Sequence, residues 1–131
     1  MQMRISSLSE LDQFSKKFLK SLRGGEVIAL QGILGAGKTA FSKKLLKNAG
    51  VKRTVVSPTF VLMLPYQTGK KTFYHLDLYR LKGFKEVAAL GILDLWEKPE
   101  NIFLIEWAEK IKTHLPKNTI YLKLMAKLRM K

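Results

Sequence analysis

Gly32-Ile33-Leu34-Gly35-Ala36-Gly37-Lys38-Thr39 is the one stretch of the chain with the spacing G-x-x-x-x-G-K-[ST]. Each position has a chemical reason. Glycines let the backbone wrap closely around phosphate oxygens and turn successive N–H groups inward. A helix that follows such a loop presents the partial positive charge of its N-terminus to the same oxygens. Lys38 supplies a mobile point charge for the β- and γ-phosphates, and the Thr39 hydroxyl is suited to ligate Mg2+. The motif points to a nucleoside triphosphate held by Gly32, Leu34, Gly35, Ala36, Gly37, Lys38 and Thr39. It does not choose the base, although the N-K-x-D pattern of guanine readers is missing from the sequence.

A phosphate loop needs a carboxylate near the metal, usually at the end of a buried strand. Glu106 follows the apolar run Ile102-Phe103-Leu104-Ile105 and meets that need. It would hold Mg2+ through water or polarise the attacking water; the other reading is a Glu that caps the next helical turn. Asp77, within His75-Leu76-Asp77-Leu78-Tyr79-Arg80, either approaches the metal or γ-phosphate from the other side or pairs with Arg80. Trp107 is either a core residue or a stacking surface for nucleotide or partner. His75 reads as structural, because no other His or Cys lies nearby to build a metal site. Ser57-Pro58-Thr59 is a turn by composition, with hydroxyls that could sense the γ-phosphate.

These residues need elements to position them. Ser7-Leu8-Ser9-Glu10 has capping-box spacing, and Leu8, Leu11, Phe14, Phe18 and Leu22 recur at helical spacing. A helix over 8–22 follows, ended by Gly24-Gly25. Val27-Ile28-Ala29-Leu30 suits a buried parallel strand before the phosphate loop. A second helix is expected over 38–49, stopped by Gly50. Short strands are expected over 54–56, 59–66 and 71–76, the last two joined as a hairpin through 67–70. Residues 77–80 read as a loop. Short helices are expected over 84–90 and 92–96, a second buried strand over 102–105, helical turns over 107–111 and a strand over 119–124.

Composition sets the outer bounds. The chain has 131 residues and a net charge of +14, and it fits one domain spanning 1–131. With no cysteine, disulfides, zinc fingers, iron–sulfur clusters and thiol catalysis are excluded, and a reducing cytoplasm is compatible. No apolar run approaches the ~20 residues that span a bilayer, and Met1 to Glu10 lacks the apolar centre of a signal peptide. The expectation is a cytoplasmic protein without a membrane partner. Residues 1–53 carry +8, 54–109 carry −1 and 110–131 carry +7. The nearly neutral middle holds seven of the ten carboxylates, and so supplies any acid–base or metal chemistry.

Four segments together resemble the TsaE (YjeE) family, the bacterial P-loop ATPases of tRNA threonylcarbamoyladenosine biosynthesis. They are Leu34-Gly35-Ala36-Gly37-Lys38-Thr39, Ser57-Pro58-Thr59-Phe60, Tyr74-His75-Leu76-Asp77-Leu78-Tyr79-Arg80-Leu81 and Leu104-Ile105-Glu106-Trp107. The first is common to many NTPases; the other three in this order are specific, and the likeness runs over 7–124. It implies an α/β fold: a P-loop NTPase-like sheet with a parallel core, antiparallel hairpin additions and helices on both faces. It implies ATP held by Lys38 and the loop, Mg2+ at Thr39 and Glu106, and Asp77 as a required acid. Ser57 to Phe60 would act as a switch, and Ser7 and Leu8 would lie near the base, with Trp107 among the nucleotide contacts. The implied partners are TsaD-like and TsaB-like proteins, which modify A37 of ANN-decoding tRNAs, with tRNA contact indirect. The implied hydrolysis supports that assembly, is weak in isolation and comes from a monomer or a nucleotide-dependent dimer.

Two departures fall in the loop. Ile33 stands where the family usually has Asp, and Ala40 where it has Thr or Ser. Ala40 would still adjoin the nucleotide, but without a hydroxyl for the α-phosphate, which would weaken binding. At the C-terminus, Arg129 is the weak counterpart of a family Gly-Arg pair. The competing enzyme class is a small-molecule or nucleoside P-loop kinase. Such a kinase closes an Arg-bearing lid, and 54–109 holds a single arginine, Arg80. A third class, an RNA-binding protein using the basic ends, would not need Lys38.

Overall fold

The computed structural model describes residues 2–32, 35–56, 58 and 61–126, with backbone only for 35–39 and 126. One six-stranded sheet organises them, in the order β1-β6-β2-β5-β4-β3. The strands are β1 (Gln2–Ile5), β2 (Val27–Gly32), β3 (Met63–Thr68), β4 (Lys71–Asp77), β5 (Asn101–Glu106) and β6 (Ile120–Ala126). Five run parallel, and only β3 is antiparallel, paired to β4 across the hairpin. This is the expected P-loop NTPase-like sheet, with helices on both faces.

The two central strands β2 and β5 are apolar without alternation because both of their faces are covered. On one face, Ile28, Leu30, Ile102 and Leu104 pack under α1 (Leu8–Ser21) and α2 (Gly35–Asn48). On the other, Val27, Ala29, Phe103 and Ile105 pack under α3 (Phe84–Ala88), α4 (Ile92–Trp96) and a 3-10 helix over Ala108–His114. The period of two thus assigns each strand residue to one of two cores. Phe14, Phe18 and Phe41 join α1 to α2, with ring centroids 5.8–5.9 Å apart. Among the described residues, no helix is long and apolar enough to cross a membrane.

Local chemistry explains the ends of α1. The Ser7 hydroxyl accepts from the Glu10 N–H at 3.1 Å, and the Glu10 carboxylate accepts from the Ser6 N–H at 2.8 Å. That is a capping box whose return bond lands one residue early. At the far end, the Glu26 carboxylate accepts the N–H groups of Arg23 and Gly24. Gly24, at φ +119°, passes so close to Pro99 that a Cβ would lie 2.3 Å from its carbonyl oxygen.

Several expectations need correction. Residues 54–56 form no strand; the Tyr66 hydroxyl accepts from the Val56 N–H at 3.2 Å and takes the place of a ladder. The strand expected over 59–66 begins only at Met63 and runs to Thr68. The chain first turns at Pro58, whose carbonyl accepts from Leu62 at 2.8 Å, and Leu62 sits in the left-handed region at φ +67°. The helix expected over 38–49 begins at Gly35. Asp77 belongs to the end of β4 rather than to a loop. Residues 84–90 form a shorter helix, ending at Ala88, while the turns after Trp107 continue as far as His114. Edge strand β1 was not expected: it has only Met3 and Ile5 facing the core and depends on β6 for every ladder bond.

Candidate functional site

Parallel strands collect their C-terminal ends on one side, where ligands bind in open α/β sheets. Here that edge gathers the expected residues. β2 ends at Gly32, β5 at Glu106 and β4 at Asp77. Glu106 is registered between Leu30 of β2 and Asp77 of β4, so the two acids are cross-strand neighbours. Alternation puts both on the face covered by α1 and α2, with Phe73, Ile102 and Leu104 two or four residues before them. They are nearly buried, at 7% and 2% exposure. Standing side by side, the two carboxyl groups make this an acidic edge of the sheet.

The hydrogen bonds fix both acids. Asp77 Oδ1 accepts the Tyr79 N–H at 3.0 Å, which folds the chain back immediately after β4. Glu106 Oε2 lies 2.6 Å from His75 Nε2, inside the sheet's covered face. The Glu106 carbonyl accepts the Leu78 N–H at 3.1 Å, tying the exits of β4 and β5 together. Among the described residues no three His, Cys, Asp or Glu side chains gather to hold a metal. A cation here would draw much of its shell from phosphate oxygens and water, which is how Mg2+ is usually bound.

α2 begins at Gly35, so Gly35 and Gly37 of the loop lie in its first turn, and no acidic side chain lies in that turn. Its N-terminal N–H groups suit an anion. The backbone of Gly35, Ala36, Gly37, Lys38 and Thr39 is helical, while their side chains lie outside the described residues, as do Ile33 and Leu34. Ala40 packs against the first core from within α2. Ser7 caps α1 and Leu8 is 67% exposed. Because β1 and β6 run parallel to β2, both sit at the same end of the sheet as the two acids. Of the proposed switch, Ser57, Thr59 and Phe60 lie outside the described residues, and so does Arg129.

Trp107 follows Glu106 directly, at φ +61°. That left-handed step turns the half-buried indole toward the second core, where it packs with the exposed Tyr79 at 5.1 Å between ring centroids. It is therefore an edge residue of the core that also presents an aromatic surface. His75, read from the sequence as structural, is buried, and its contact with Glu106 was not anticipated. The available signal was His-x-Asp on a strand, a spacing that sends both side chains to one face.

The chain is similar to known proteins. A family model described as "Threonylcarbamoyl adenosine biosynthesis protein TsaE" matches residues 5–130. The tRNA threonylcarbamoyladenosine biosynthesis protein TsaE of Rickettsia bellii (strain RML369-C) is 40% identical over 113 residues, covering 86% of this chain and 77% of that protein. The protein of the same name from Bacillus subtilis (strain 168) is 40% identical over 96 residues, 73% of this chain and 59% of that one. A crystal structure of Bacillus subtilis YdiB superposes with a TM-score of 0.73 at 26% identity, over 95% of this chain and 76% of that chain.

Proposed function

The chain belongs to the TsaE family of threonylcarbamoyl adenosine biosynthesis proteins, and from that membership we propose that it binds and hydrolyses ATP in support of threonylcarbamoyl modification of tRNA. TsaD-like and TsaB-like proteins would be its partners, with the modified base A37 of ANN-decoding tRNAs. The observation that carries the reading is the adjacency of Asp77 and Glu106 at the ends of β4 and β5, with β5 next to β2, the strand that leads into the phosphate loop. Two fixed acids beside a helix N-terminus suit a phosphate chain and its Mg2+, and the donor set fits that pair.

In this reading the loop amides and Lys38 hold the β- and γ-phosphates, and Thr39 and Glu106 face Mg2+. When bound, Mg2+ neutralises phosphate charge and orients the γ-phosphate. Glu106 would help to hold that ion through water or polarise the attacking water, and Asp77 would fix the neighbouring edge. Ser7 and Leu8 lie toward the base and Trp107 toward the nucleotide or a partner. Hydrolysis by the isolated chain is slow and rises in the assembly.

The test is a pull-down with TsaD-like and TsaB-like proteins, with and without ATP, alongside phosphate release. Nucleotide-dependent capture and partner-stimulated release are expected. No capture in either condition, or γ-phosphate transfer to a small acceptor, would favour the kinase.

A further inference from the structure

We propose that His75 is a positioning residue that holds the Glu106 carboxylate for the nucleotide's divalent cation; this rests on the ATP–Mg2+ reading above. In the ionised form that would meet a cation, Glu106 only accepts hydrogen bonds, so in that form His75 Nε2 is the donor in the 2.6 Å contact. The ring is wholly buried and the Glu106 side chain is 3% exposed. His75 faces Leu64 on β3 and Leu104 on β5. Glu106 lies one pair beyond Leu104 on the same face and reaches back to the ring.

Stability alone does not account for this imidazole. Its Nδ1 is buried without a hydrogen-bond partner among the described residues, and such an orphan costs free energy. An apolar side chain between two leucines would avoid that cost. What the histidine adds is a fixed carboxylate. Glu has three side-chain torsions, and freezing them before the ligand arrives removes an ordering cost from binding. Both partners of this contact lie on β4 and β5. Groups that orient a metal ligand commonly contribute 10–100-fold to metal affinity.

The experiment compares wild type, His75→Leu and His75→Gln. Affinity for a non-hydrolysable ATP analogue is measured in Mg2+ and in EDTA, beside thermal unfolding. Wild type should bind more tightly in Mg2+. His75→Leu should lose about tenfold or more of that gain, with EDTA affinity within about twofold of wild type and a cooperative unfolding transition whose midpoint is lowered, because Glu106 Oε2 loses a buried donor. His75→Gln, which can place an amide N–H near the Nε2 position, should recover most of the gain. The proposal is overturned if His75→Leu keeps the full Mg2+ gain, loses affinity equally in EDTA, or fails to fold. A His75→Gln protein that behaves like His75→Leu overturns it as well. Wild type that binds the analogue equally in both buffers overturns the positioning role alone, whereas wild type that binds in neither overturns the nucleotide reading with it.

Discussion

Lys38 and Glu106 carry different parts of the proposed chemistry, and their loss should look different. Both act on charge that develops at phosphate, so Lys38→Ala and Glu106→Ala should each lower hydrolysis by about a hundredfold or more. Lys38→Ala should also weaken nucleotide binding without Mg2+, because a point charge on phosphate acts in the ground state too. Glu106→Ala should leave that binding near wild type. Phosphate release and EDTA-buffered titration check the two; normal turnover in both variants would sink the mechanism. Much of this scale was readable from residue types, since the loop spacing and the Glu after an apolar run each carry a chemical reason. The contact between His75 and Glu106 was not readable, because 31 residues separate them and only the β4–β5 register brings them together.

Elements meet where small sequence features decide the fit. Gly24 links α1 to β2 at φ +119°, against the carbonyl of Pro99. Gly24→Ala should destabilise by about 2 kcal/mol or more, since both the dihedral and the backbone approach oppose a Cβ; thermal unfolding reads this as a midpoint lower by roughly 5 °C or more. A second joint ties α1 to α2, where Asn48 Nδ2 donates to Asp12 Oδ1 at 3.0 Å and to Ser15 Oγ at 2.7 Å. That hydrogen bond, aided by Lys16, holds the Asp12 carboxyl below its ordinary value. A depressed carboxyl stabilises the fold above its unfolded pKa and loses that contribution as pH falls through the folded one. Asn48→Ala should therefore raise the Asp12 pKa, seen by NMR titration, and reduce the stability difference between neutral and acid pH. The helix pattern of α1 was plain in its leucines and phenylalanines. The absence of a strand at 54–56 was not, because it depends on Tyr66 reaching across from β3 to occupy the Val56 N–H.

Over the whole molecule, the chain carries a net charge of +14. Lys16, Lys17, Lys20, Lys43 and Lys47 lie on α1 and α2, the layer over the face that holds the two acids. RNA binding by the isolated chain should be non-specific and unaffected by ATP. It should fall with salt at a log–log slope of about −0.7 per phosphate neutralised on a single strand. A filter-binding titration across salt checks this, and a flat dependence would indicate base contacts instead. The sequence by itself determined the phosphate loop, the buried character of β2 and β5 and the amphipathic α1. Those features are written in neighbouring residues, through spacing, period and composition. Tertiary structure alone decided that β1 completes the sheet beside β6, that Asp77 and Glu106 stand side by side, and that His75 grips Glu106. These are register relations between distant segments, and register is set by burying both faces of the sheet at once, a condition no local stretch of chain contains.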